Sequence, residues 1–317
     1  MSHRSTSRTR LAVVCAGTAL ATFAAVGTAT AADPVMNGSW GPFNRCPVDA
    51  AELLAANGVE QTPQCVVASS PGGTFKMGRI TVTTGKVNVQ FGAVQNADGT
   101  TTTVGPAGGA IKADAVTVPG GLLGIMCPSE VPVISAICED LLENNTLNKI
   151  TATVESAGSP RDFNQYAAIV AGEPIVTVPI KVKLKNPFLS DSCYIGSNSN
   201  PILLKTRNAA EPGFNGAVSL GNGTPVPEGE PGDLTTLSFG GTSLTDNTFA
   251  IPGASNCGLF GAIDLAVNLK SGIPAATGNS INLGNAKTAV TSLYDGSTVY
   301  PDGGQAFSGY WHSGVTG

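Results

Sequence analysis

Beyond residue 32, the side chains equipped to do chemistry are six cysteines, one histidine and a few carboxylates. The cysteines are Cys46, Cys65, Cys127, Cys138, Cys193 and Cys257. An even number of them in an exported chain reads as a framework of three disulfides. Local closure favours Cys46–Cys65 and Cys127–Cys138, which leaves Cys193–Cys257. A zinc site would call for C-x-x-C spacing and histidine support; neither is present, and no metal is assigned. His312 lies close to the end of the chain beside Trp311. A Ser-His-Asp triad, a Cys-His dyad or a multi-histidine site each needs a positioned imidazole, and no G-x-S-x-G elbow accompanies this one. Two carboxylates can hydrolyse a glycoside without histidine. Glu139, Asp140 and Glu143 are close in sequence, but on a helix they form a solvated face. Asp246 and Asp264 lie near segments that could be neighbours, with nothing to set their separation. Asp98-Gly99, Asp295-Gly296 and Asp302-Gly303 read as turns, without the spacing of a calcium loop. No catalytic residue and no cofactor is assigned.

Two groups of side chains are candidates for binding. Lys181, Lys183 and Lys185 form a cationic row, which is either a surface for an anionic wall polymer or the solvated face of a strand. Tyr300, Phe307, Tyr310 and Trp311 concentrate aromatics near the C-terminus, as Trp40 and Phe43 do near the other end. Tyr300, Tyr310 and Trp311 could stack on sugar rings. Alternatively the two ends meet and their aromatics close the core.

These residues are positioned by short strands. From Val176 to Leu184, Val176, Val178, Ile180, Val182 and Leu184 alternate with polar residues, which puts one aliphatic and one cationic face on a strand. Pro179 within it suggests an edge position or a bulge. Residues 79–84, 86–94, 110–118, 149–155, 166–171, 201–206, 234–239, 242–251, 263–270, 278–283 and 286–293 also read as strands. Short helices are expected over Pro47–Ala56 and Ser129–Leu142. Residues 208–233, rich in Gly and Pro, read as an exposed loop within one domain rather than a domain boundary.

The opening residues carry the signature of a signal peptide. Arg4, Arg8 and Arg10 precede an apolar run from Leu11 to Val26, and Ala29-Thr30-Ala31 is a cleavage pattern; residues 1–32 are read as leader and 33–317 as the secreted domain. Three of the 17 basic side chains go with the leader, leaving 14 against 22 acidic, a formal charge of −8. No basic run invites nucleic acid. No later apolar run reaches the ~20 residues of a membrane span.

The segment NPFLSDSCYIGSNSNPILL, from Asn186, together with the later CGLFGAIDLAVNLKSGIPAATGNSINL, resembles secreted actinobacterial proteins of no established activity. The resemblance implies an extracellular or envelope location and supplies no catalytic residues. Short strands, many turns, 40 Gly and 21 Pro imply a mainly β fold, a two-sheet β-sandwich with one or two short helices, stapled by disulfides. The function expected is a non-enzymatic secreted or cell-surface β-protein with a structural or adhesive role in the envelope. Its partner would be a cell-wall polymer or another envelope protein. The alternatives are a carbohydrate- or wall-polymer-binding module and a two-carboxylate glycoside hydrolase.

Overall fold

A computed structural model describes residues 32–127, 135–136, 138–139, 145–221, 224–227, 232–294 and 302–316. Residues 1–31, which fall in the expected leader, most of the helix expected between Ser129 and Leu142, and Tyr300 lie outside the described residues. Residues Asp33–Gly317 form one compact unit, and it is mainly β. In chain order its elements begin with α1 (Ala51–Leu54), β1 (Gln61–Ser70), β2 (Gly72–Met77), β3 (Ile80–Thr84), β4 (Val87–Asn96), β5 (Thr101–Val104), β6 (Ile111–Ala113), β7 (Val116–Thr117) and α2 (Gly121–Met126). Then come β8 (Thr151–Ser156), β9 (Pro174–Lys185), β10 (Tyr194–Ile195), β11 (Ile202–Asn208), β12 (Gly213–Gly221), β13 (Thr224–Pro225), β14 (Leu234–Asp246) and β15 (Ala254–Ser255). The chain ends with α3 (Ala262–Ser271), β16 (Ser280–Leu293) and α4 (Gly303–Ser313).

The described strands hydrogen-bond into one antiparallel sheet, with a backbone order β10-β9-β11-β14-β16-β1-β4-β5. That sheet curls on itself. Residues 110–118 bring its ends together by changing partner midway: β6 pairs with β4, and β7 pairs with β8, which flanks β9. The expected single strand there is therefore two short ones, separated at Asp114-Ala115.

β9 behaves as its alternation requires. Val176, Val178, Ile180, Val182 and Leu184 are buried, and Lys181 and Lys183 are half-buried on the outward face, with Lys185 exposed at the strand end. Pro179 is not at an edge. Its carbonyl accepts from Ala157 N, just past Ser156 where β8 ends, so the N–H that proline lacks falls where no strand partner needs it.

Several elements differ from expectation. Tyr166–Ile169 is a 3-10 helix, not a strand. Residues 263–270 form α3, because Ile263, Ala266 and Val267 bury at helical spacing between the left-handed Gly261 and Gly272. Residues 234–246 are one strand rather than the start of two, with register shifts near Gly240–Leu244, and the two strands expected over 278–283 and 286–293 are likewise one, β16 (Ser280–Leu293). Part of the expected 208–233 loop is β12, paired along β14.

The core has two parts. The larger lies inside the curl, with Phe91, Val178, Ile180, Val182, Ile202 and Leu283 among its members. The smaller covers the opposite face of β1 and β16, where Trp40, Phe43, Leu53, Val67, Phe307 and Trp311 pack together. The two ends of the compact unit meet there. Asn37 N donates to Gly314 O (2.7 Å), Thr316 N to Val35 O (2.9 Å), and the Trp311 indole to Phe43 O (2.8 Å).

The disulfides are Cys46–Cys65, Cys127–Cys138 and Cys193–Cys257. The first ties the N-terminal segment to β1. The third ties the turn before β10 to the turn before α3.

Ile180 is fully buried in the middle of β9. Ile180→Ala is expected to cost about 2–4 kcal/mol in a denaturant melt, whereas Lys185→Ala at the exposed strand end should stay within about 0.5 kcal/mol. Equal effects would remove β9 from its place in the core.

Candidate functional site

The lysine row lies on the outward face of β8, β9 and β10, and each lysine meets different neighbours. Register places Glu155 opposite Lys181, Thr153 opposite Lys183, and Tyr194 on the other flank of Lys183. Lys181 Nζ is 3.8 Å from Glu155 Oε2, donates to Asn198 Oδ1 at 3.0 Å, and sits 4.7 Å from the Tyr194 ring centre. Lys183 Nζ is 5.7 Å from the same ring. The Tyr194 hydroxyl donates to Glu155 Oε2 at 3.2 Å. Partial burial, and then the Glu155 carboxylate, push the phenol above its usual range, so it keeps its proton and remains a donor. Within the row Lys181 is engaged on three sides, Lys183 has the Tyr194 ring beside it, and Lys185 is exposed at the strand end.

His312, Ser308 and Asp49 come together, in an arrangement different from that of a nucleophile and its base. Ser308 and His312 lie one turn apart on α4, and both address Asp49. Ser308 Oγ donates to Asp49 Oδ1 at 2.7 Å, and His312 Nε2 is 3.0 Å from each carboxylate oxygen. A triad requires the serine on the imidazole; here the carboxylate is the hub, and it pins α4 to the turn before α1.

The other carboxylates also hold backbone. Asp246 is 2% exposed and accepts from Lys205 N (2.7 Å), Thr248 N (2.8 Å) and Thr248 Oγ1 (2.7 Å), which locks β11 to the end of β14. Asp264 accepts from Cys257 N (2.7 Å) and Asn256 N (3.1 Å), joining α3 to the third disulfide. Asp98 closes its turn on Thr100, whose hydrogen bonds draw its carboxyl below the usual range. Glu139 is exposed; Asp140 and Glu143 lie outside the described residues. Trp311 is 7% exposed within the smaller core, and Tyr310 is half-buried against it.

Sequence reasoning missed the most exposed apolar group. Leu265 (53% exposed) and Leu269 (68%) project from α3 one turn apart, and Phe260, entirely exposed, precedes the helix. Phe260 holds φ 52° and ψ 34°, a left-handed backbone that costs a non-glycine residue energy. Reading 262–271 at the helical period would have exposed the pair of leucines. Compared with protein families, curated proteins and solved structures, the chain matches none.

Asp49 carries a pH dependence. Its slight burial works to raise the carboxyl, but hydrogen bonds from His312 and Ser308 and the charge of His312 outweigh this and hold it below the usual range. A depressed carboxyl contributes stability above its unfolded value and loses it as pH falls through the folded value. Tryptophan fluorescence is therefore expected to report loosening of α4 as pH falls from the ordinary carboxylate range to below it. Asp49→Asn should remove that acid step; a step that persists in the variant would assign it elsewhere.

Proposed function

We propose that this is an exported, non-enzymatic β-protein that acts by adhesion at the cell envelope, with another envelope protein as its partner. Export is supported by the leader pattern of residues 1–32 and by three disulfides, which persist in oxidising compartments. On the same footing we read the curled sheet as sandwich-like, since strands β3, β4 and β6 face β9 and β11 across one interior.

The observation that carries the adhesive reading is the outward side of α3. Single exposed apolar residues need no explanation, but a contiguous apolar group marks a contact surface. Leu265 and Leu269 share one helix face, and Phe260 stands fully exposed at the start of that helix in a strained backbone conformation. An apolar group of this kind suits a protein surface better than a polyhydroxylated polymer. The groups that could have served chemistry give a second line of support. Asp246, Asp264 and the Asp49–Ser308–His312 cluster each hold one element to another.

Replacing Phe260, Leu265 and Leu269 together with serine tests this. The variant should melt as wild type does, since exposed substitutions cost within about 0.5 kcal/mol each. It should shift from the envelope fraction to the medium. A variant retained in the envelope as wild type is would overturn the reading, as would a wild-type protein found only inside the cell.

A further inference from the structure

The three groups around Lys181 are a chemical constellation as well as a set of contacts. Lys181 Nζ donates to the side-chain carbonyl of Asn198 at 3.0 Å, lies 3.8 Å from Glu155 Oε2 and is covered by the Tyr194 ring. A lysine beside a carboxylate is an ordinary ion pair, as Lys112 is with Asp33. A lysine that touches an amide, with a carboxylate in reach of the same nitrogen, is different. It brings together a nucleophile, an electrophilic carbon and a proton acceptor. Among the described residues no other lysine ammonium donates to a side-chain amide.

Separate segments hold these groups. Glu155 of β8 is directly opposite Lys181 of β9 in the ladder. Asn198 sits in the turn between β10 and β11, which is closed by Ser197 N on Asn200 O and by Asn200 N on Ser197 Oγ, both at 3.0 Å. Tyr194 of β10 lays its ring against the ammonium and fixes Glu155 Oε2 with its hydroxyl. The Lys181 side chain is only 18% exposed, so the nitrogen is sheltered. Asn198 is at the surface, where a small leaving group has an exit.

The distances allow reaction. A C=O bond of about 1.23 Å puts Nζ within about 4.2 Å of Asn198 Cγ. Attack needs about 3–3.5 Å, and torsions of the long lysine side chain close the difference.

We propose that Lys181 and Asn198 become joined by an intramolecular isopeptide bond, which the folded chain forms on itself with Glu155 as proton acceptor. Glu155 takes one proton from the Lys181 ammonium. The amine lone pair then forms the Nζ–Cγ bond, and the carbonyl π pair moves onto Oδ1. When that pair returns, the Cγ–Nδ2 bond breaks. Nδ2 leaves as ammonia, carrying the second proton lost by Nζ. Glu155 passes its proton to the ammonia, which departs as ammonium, so the carboxylate is restored and no group is oxidised or reduced. The bond spans 17 positions of sequence and ties β9 to the turn that feeds β11. Like a disulfide, it restricts the unfolded chain. It is independent of the α3 surface, and either assignment can fail without the other.

The test is mass spectrometry of the purified, folded and then fully reduced protein after trypsin digestion. The fragment carrying Lys181 should be joined to the fragment carrying Asn198, with no cut after Lys181 and a mass about 17 Da below the sum of the two, the loss of one ammonia. Lys181→Met and Asn198→Ala should each abolish the linked fragment and lower the melting temperature. Lys183→Met, in the same row, should leave the link intact. Glu155→Gln should be recovered largely unlinked, because positioned proton transfer contributes ~10²–10⁴-fold in rate. Separate, unmodified fragments from folded wild-type protein would overturn the proposal. So would a loss of ammonia that persists in Lys181→Met and is reversed by mild alkali, which marks a succinimide at a pair such as Asn57-Gly58 instead. Complete linkage in Glu155→Gln would overturn the role given to Glu155.

Discussion

The closure of the sheet depends on a buried arginine. The Arg45 guanidinium donates to Asn88 Oδ1 (2.7 Å), Gly109 O (3.1 Å) and Ala110 O (3.3 Å), at the start of β6, where the chain comes back to pair with β4. Its backbone N–H is taken by Gln90 Oε1 at 2.9 Å. Burial works against its charge, and Asp33, 4.0 Å away, works for it. A buried cation is tolerated only where such partners replace its water. The next residue, Cys46, is bonded to Cys65 in the middle of β1. One dipeptide thus fixes the smaller core, the centre of the sheet and the seam at which the sheet closes.

What was legible in the sequence follows from how each element is solvated. β9 and β4 meet different environments on their two faces, or do so over part of their length, and alternation reports that difference. β1 carries buried residues on both faces: Val66 belongs to the larger core and Val67 to the smaller. Its run Cys65–Ala68 therefore has no period to read. In α3, Ile263, Leu265, Val267 and Leu269 satisfy a period of two as well as Ile263, Ala266 and Val267 satisfy the helical one, and the glycines at either end decide between them. α4 was hidden for the opposite reason. Gly303 and Gly304 look like breakers, yet they let the helix approach α1. A Cβ on Gly304 would lie 1.9 Å from Leu53 O.

The same logic covers the candidate sites. The lysine row could be placed on one sheet face from spacing alone, because strand period is local. Glu155, Tyr194 and Asn198, which neutralise and cover part of it, arrive through strand pairing and a turn far away in sequence. The aromatics at the two ends had two open uses, sugar stacking or closure of the core. Trp40, Phe43, Phe307 and Trp311 are gathered in the smaller core, with the indole N–H of Trp311 hydrogen-bonded inside it.

The segments GLLGIMC and CGLFGAI share a small apolar, Gly-containing pattern around a cysteine, and the structure gives that likeness a physical form. Each becomes a helix entered through a left-handed glycine, Gly120 for α2 and Gly261 for α3, and the two helices pack together. Cys127 and Cys257 hold the flanks in separate disulfides. Leu122, Ile125 and Met126 from α2, and Ile263, Ala266 and Val267 from α3, supply the buried side of the pair. That inward set is sufficient to seat both helices on the core. Leu265 and Leu269 add nothing to it, because a residue on the far side of a ten-residue helix cannot reach the core its neighbours cover. Phe260 adds strain rather than packing. Among the described residues, these three side chains lie outside both core clusters and face away from the packed side of the helix pair.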